Sequence, residues 1–163
     1  MNPFWNFVSH FVFIFPLYMS FVWTVGALFF FFRRERHSYQ PEPGQTPFFS
    51  ILVPARNEEK DLKNVIFYLS HLDYPAYEVI IINDGSTDRT GELADELVRE
   101  NSKWLKVIHL KPNSGKAKAT NMGILLSKGE LILVMDADAM LDSKVLKMMA
   151  WHFVKSPDVG AVT

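Results

Sequence analysis

The sequence has no cysteine, which excludes disulfides, zinc–thiolate centres and a thiol nucleophile. Charge of one sign is not in excess either: 17 Lys and Arg face 18 Asp and Glu, so nothing in the balance points to a nucleic-acid partner. Two phosphate-binding patterns are missing. At Gly115-Lys116 the pattern G-x-x-x-x-G-K-[ST] fails, because Leu110 stands at the first Gly and Ala117 at the Ser/Thr position. No G-x-G-x-x-G follows any predicted strand, which argues against a dinucleotide site. The histidines His10, His37, His71, His109 and His152 form no pair with metal-ligand spacing.

The most local absence is of charge. Residues 1–32 contain no Asp, Glu, Lys or Arg, yet hold ten of the 14 Phe. A membrane-spanning helix needs about 20 mostly apolar residues. Phe11 to Phe32 supplies them, with Trp5, Tyr18 and Trp23 as interfacial anchors. Pro16 either kinks this helix or starts it, the preceding residues then lying in the interface. A cleaved signal peptide fits less well, since there is no basic leader and no small-residue cleavage site. Arg33, Arg34 and Arg36 follow with nothing basic before them, which predicts an external N-terminus and a cytoplasmic remainder. The chain thus divides into a membrane segment (1–32), a basic, Pro-rich linker (33–47) and a soluble domain (48–163).

In the soluble part strand and helix periods alternate. Strands are expected at Phe48 to Val53, Glu78 to Ile82, Leu105 to Leu110, Leu131 to Met135 and Val159 to Thr163. Helices are expected at Glu58 to Leu72, from a Ser86 or Thr87 cap to Glu100, at Gly115 to Ser127, and after Asp142 or Ser143. Such alternation predicts an α/β fold with a mostly parallel sheet and right-handed crossovers. The run Leu131 to Met135 reads as a strand buried on both faces.

Each strand ends in polar residues, at the edge where open α/β sheets bind ligands. Strand one leads into Pro54-Ala55-Arg56-Asn57-Glu58-Glu59, strand two into Asn83-Asp84-Gly85-Ser86, and strand three into Asn113-Ser114-Gly115-Lys116 with Lys118 and Asn121 beyond. Strand four ends in Asp136 and Asp138, which point the same way in extended chain and can approach one divalent ion. Any one of these is explained as a turn or cap; four in succession indicate a site. Carboxylates with a divalent ion can hold a diphosphate, Lys116 and Lys118 add positive charge, and Asp84 can accept from a uracil imide or a ribose hydroxyl. A nucleoside diphosphate carrying a sugar fits this set.

The series Val53-Pro54-Ala55-Arg56-Asn57-Glu58, Ile82-Asn83-Asp84-Gly85-Ser86, Asn113-Ser114-Gly115-Lys116-Ala117 and Asp136-Ala137-Asp138 resembles the inverting family 2 glycosyltransferases of the GT-A fold. A leading membrane helix makes it most similar to the processive bacterial synthases, the poly-β-1,6-N-acetylglucosamine synthases above all. The resemblance covers about Phe48 to Thr163 and implies a Rossmann-like GT-A nucleotide-sugar-binding half preceded by one transmembrane helix. It implies a UDP-sugar donor and Mg²⁺ or Mn²⁺, with Asp136 and Asp138 as metal ligands, Asp138 the more direct. It assigns Pro54, Ala55, Arg56, Asn57, Glu58, Asp84, Gly85, Asn113, Gly115, Lys116, Lys118 and Asp136 to the donor nucleotide. The partners it implies are a polysaccharide or lipid-linked acceptor, the membrane, and room for a small membrane subunit. The family's general base lies further along than Thr163, so the chain by itself is expected to bind donor without turning it over. Two alternatives stay open: a non-processive transferase acting on a lipid phosphate, and a non-catalytic nucleotide-binding module.

Overall fold

A computed structural model describes residues 2–35, 44–156 and 158–162. The chain forms two units, residues 1–40 and 41–163.

The first unit is one helix, α1 (Pro3–Phe30), followed by a wider π-turn at Phe31–Glu35. Asn2 caps it, its Oδ1 accepting the Phe4 N–H at 3.2 Å, and Pro3 occupies the first turn, where a missing N–H costs nothing. Pro16 therefore lies inside a longer helix and does not start it. No side chain of α1 is buried within the unit, and Pro3–Arg33 is long and apolar enough to cross a membrane. Arg36 and His37 of the basic cluster and linker lie outside the described residues.

The second unit alternates β1 (Phe49–Ala55), α2 (Leu62–Leu69), β2 (Tyr77–Asp84), α3 (Thr90–Asn101), β3 (Leu105–Leu110), α4 (Lys116–Leu126), β4 (Leu131–Val134) and α5 (Val145–Lys155). The four strands form one sheet in the order β3-β2-β1-β4, every pair parallel. All carboxyl ends therefore meet at one edge, and the winding direction reverses between β1 and β4. The registers set the shape of that reversal. β1 stays paired with β2 through Ala55↔Asn83, but with β4 only to Leu52↔Val134. Pro54 falls beyond β4's pairing, where its lack of an N–H removes no bond on that side.

Alternation along β1 and β2 sorts the core into two layers. Phe49, Ile51, Val53, Val79 and Ile81 pack with Leu62, Ile66, Leu69, Leu97 and Leu146 of α2, α3 and α5. Leu52, Ile80 and Ile82 pack on the other face with Ala119 of α4. Gly123 lets α4 come this close: a Cβ there would stand 2.7 Å from Ile82 Cδ1. Each fully buried Ile or Leu contributes about 1.5–3 kcal/mol, so these layers fix the sheet that carries the rim loops.

Four expectations change. The first soluble helix begins at Leu62, not Glu58, because Glu58 and Glu59 are held in a loop by the β2–α3 connection. The next begins at Thr90, after Ser86 and Thr87 have turned to Asn57 instead of capping. β4 is an edge strand with Ile132 40% and Val134 44% exposed, since α4 covers β1 and β2 but stops short of it. An unbroken apolar run does not by itself show burial on both faces. Finally, Val159 to Val162 form no strand, and Thr163 lies outside the described residues.

Candidate functional site

The carboxyl edge opens into a cleft of about 390 Å³ lined by Pro54, Ala55, Arg56, Glu58, Asp84, Asn113, Gly115, Lys116, Asp136, Ala137 and Asp138. All four strand ends contribute. Asp84, Asp136 and Asp138 share this one hollow.

Asp84 is 4% exposed at the last position of β2. Its Oδ1 accepts from the Ser114 N–H at 2.7 Å and the Ser114 hydroxyl at 3.0 Å, and Oδ2 from the Gly115 N–H at 2.8 Å. Burial pushes its pKa up, but these bonds and the nearby Arg56 charge outweigh it and hold the carboxyl below its ordinary value. A carboxylate offers about four acceptor directions, so Oδ2 keeps capacity for a ligand donor. Gly85 serves the same junction sterically. Its φ is +64°, and a Cβ would stand 2.7 Å from the Asn113 backbone nitrogen.

The loop after β1 is pinned by the loop after β2. Asn57, at φ +58°, turns its side chain away from the cleft, and its Oδ1 accepts the Thr87 N–H at 2.9 Å. The Glu58 N–H donates to Thr90 Oγ1 at 2.8 Å and the Asn57 N–H to Ser86 Oγ at 3.1 Å. Glu58 itself enters the cleft, where burial and then the charges of Asp138 and other carboxylates raise its pKa.

Across the cleft, Asp136 and Asp138 are exposed on either side of buried Ala137, so both carboxylates leave the chain on the open side. Lys116, at the start of α4, pairs with Asp136 Oδ1. Two carboxylates, with phosphate oxygens and water completing the set, suit a hard divalent cation. Among the described residues no three His, Cys, Asp or Glu cluster as a self-sufficient metal centre. The donor set therefore fits an ion shared with an anionic ligand.

Of the predicted site residues, Asn57, Gly85 and Lys118 do not line the cleft. Asn57 and Gly85 shape its walls. Lys118 borders a separate hollow with Lys111, Asn113, Ser114 and Asn121. Asp142 does not cap α5, whose N-cap is Lys144; its Oδ1 accepts the Lys144 N–H at 2.8 Å in a turn just ahead of the helix, and Ser143 makes no cap either. Sequence reasoning missed the brace made by Ser86, Thr87, Asp88 and Thr90, whose S-T-D-x-T run is equally compatible with ordinary helix capping.

A family profile for glycosyl transferase family 2 matches residues 50–163. The chain belongs to that family. Among curated family 2 relatives it is similar to the poly-β-1,6-N-acetyl-D-glucosamine synthase of Staphylococcus epidermidis, 34% identical over 161 residues, which is 96% of this chain and 39% of that protein. The synthase of the same name from Staphylococcus aureus strain COL is 33% identical over 94% of this chain and 38% of its own length. This chain thus spans well under half of these relatives. Among solved structures, S. aureus TarS 1-349 in complex with UDP-GlcNAc superposes with a TM-score of 0.60 at 32% identity, over 66% of this chain and 31% of that one. The mannosyltransferase PcManGT from Pyrobaculum calidifontis, solved with GDP-Man and Mn²⁺, gives 0.67 at 24% identity over 82% of this chain and 41% of its own, a likeness of fold. The family 2 sheet is thus of the GT-A type expected from the strand-end motifs.

Proposed function

We propose that the cleft holds the donor of a membrane-anchored, inverting sugar transferase, a UDP-sugar with N-acetylglucosamine as the transferred group, and that the whole protein extends an extracellular polysaccharide. One observation carries this reading: Asp84, Arg56, Glu58, Lys116, Asp136 and Asp138 converge on a single cleft where β1 and β4 part. The S. epidermidis relative's name and the TarS complex with UDP-GlcNAc support the choice of sugar.

In this assignment Asp84 and the Pro54–Glu58 loop take the uridine. Lys116 exchanges its Asp136 partner for a phosphate oxygen. Asp136 and Asp138 would hold Mg²⁺ or Mn²⁺, Asp138 the more directly, since Asp136 is the one that pairs with Lys116. The ion's contribution is to neutralise the diphosphate as a leaving group. α1 anchors the protein in the cell membrane with its N-terminus outside and residues after Arg33 in the cytoplasm.

Isothermal titration of the chain in detergent with UDP and MnCl₂ tests the reading. Saturable binding that Asp138→Ala weakens at least tenfold supports it. Equal binding by Asp138→Ala, or none by the wild type, overturns it.

A further inference from the structure

We infer that Thr90 is a positioning residue, fixing the rim loop that carries Arg56 and Glu58 into the cleft without itself touching the ligand. The inference rests on the reading of the cleft as a nucleoside diphosphate site. Thr90 is fully buried, at 0% exposure, and is absent from the cleft lining. Its hydroxyl makes two bonds whose directions are forced. Asp88 Oδ1, at 2.5 Å, can only accept when ionised, so the Thr90 proton points there. The lone pair left over takes the Glu58 N–H at 2.8 Å. Asp88 is itself kept ionised: burial opposes this, but the Thr90 hydroxyl, the Thr90 N–H and the Glu59 N–H outweigh burial and lower its pKa.

The result is a relay of position running from Asp88 through Thr90 to the Glu58 amide. That amide lies two residues past Arg56, whose charge helps keep Asp84 ionised. The carbonyl of Glu58, in the next peptide unit, accepts the Leu62 N–H at 3.0 Å, so one hydroxyl sets both the rim loop and the first turn of α2. A threonine present only for packing would be replaceable by the isosteric valine. A threonine that positions the loop would be replaceable by serine and not by valine.

The test uses the whole chain in detergent, titrated with UDP and MnCl₂ at a temperature where every variant is folded. Thr90→Val is expected to weaken UDP binding about tenfold and to speed deuterium exchange in the peptide covering residues 56–60. Thr90→Ser should stay within about twofold of wild type in both. Should Thr90→Val not fold, Asp88→Ala takes its place, with a loss of at least threefold expected. If wild type binds and Thr90→Val, or its substitute, binds equally well, this inference alone falls. If wild type binds no UDP, the reading of the cleft falls and takes the inference with it.

Discussion

Glu78 and Asp84 occupy the two ends of β2, both 4% exposed, both accepting several hydrogen bonds and both held below their ordinary pKa despite burial. Their surroundings differ. Glu78, at the amino end, accepts from the Lys106 ammonium at 2.5 Å, the Ser50 hydroxyl at 2.8 Å and the Lys128 N–H at 2.8 Å. Its charge is answered by a cation within the fold, and it does not line the cleft at the carboxyl edge. Asp84, at the carboxyl end, is answered mainly by backbone and hydroxyl dipoles and faces the cleft. A depressed pKa therefore does not tell these two buried carboxylates apart; the end of the strand on which each sits is what separates the one answered within the fold from the one that faces the cleft.

The largest effect that sharpens this contrast is on stability. Glu78→Ala leaves the Ser50 hydroxyl proton without its acceptor, the Lys128 N–H with only its longer bond to Ser50 Oγ at 3.2 Å, and the Lys106 charge unpaired. Lys106 is half exposed and can reach water, so the expected cost is about 2–3 kcal/mol, below that of breaking a fully buried pair. Urea unfolding followed by circular dichroism measures it, and UDP affinity per folded molecule should not change. If Glu78→Ala lost UDP binding while folded, the two ends would not be separable.

Asp84→Asn should do the reverse. The amide keeps one acceptor for Ser114 but offers an N–H₂ against the Gly115 N–H or the Ser114 donors. About 1–2 kcal/mol of stability is expected to go. UDP binding should fall about a hundredfold in calorimetry, since the ligand-facing lone pair and the loop geometry go together. A loss of stability without loss of affinity would place Asp84 beside Glu78 as a structural charge.

Both carboxyls titrate below their ordinary values, so the unfolded chain binds protons more readily than the folded one. Stability from this source is complete above the unfolded values and drains away as pH falls below about 4. Melting curves between pH 3 and about pH 7 should show that acid limb, and Glu78→Gln should flatten it more than substitution at any exposed carboxylate.

This difference between the ends was half legible beforehand. Asp84 announces itself in N-D-G-S at a predicted strand end, and Asp136 and Asp138 do so after Leu131 to Met135, because polar residues interrupting a buried strand mark the solvent edge. Glu78 reads in sequence only as the polar first residue of a strand, since Ser50, Lys106 and Lys128 are distant along the chain and only parallel pairing brings them together. Long-range partners also explain the misplaced helix starts. Ser86 and Thr87 have good capping chemistry, but Asn57 competes for them across the cleft rim. The bare face of β4 was hidden for a related reason: local hydrophobicity states that Ile132 and Val134 are apolar, not whether a helix lies over them.

The smallest expected effect comes from Glu58, which shares the cleft with Asp84 but titrates in the opposite sense. Burial, followed by repulsion from Asp138, raises its pKa, so its ionised form opposes folding at neutral pH. Glu58→Gln keeps the shape and the amide bond to Thr90 while removing the charge. The folded protein should gain a few tenths of a kcal/mol in the absence of ligand, most visibly at neutral pH and above, and the gain should fade in acid as the carboxyl becomes protonated in both states. The same change removes one of the negative charges that attract a cation, so the Mn²⁺ concentration needed for half-maximal UDP binding should rise about two- to threefold. Differential scanning calorimetry without metal and a Mn²⁺ titration at fixed UDP read the two effects separately. A stability gain with unchanged Mn²⁺ requirement would confine Glu58 to the cleft wall and leave the cation to Asp136 and Asp138 alone.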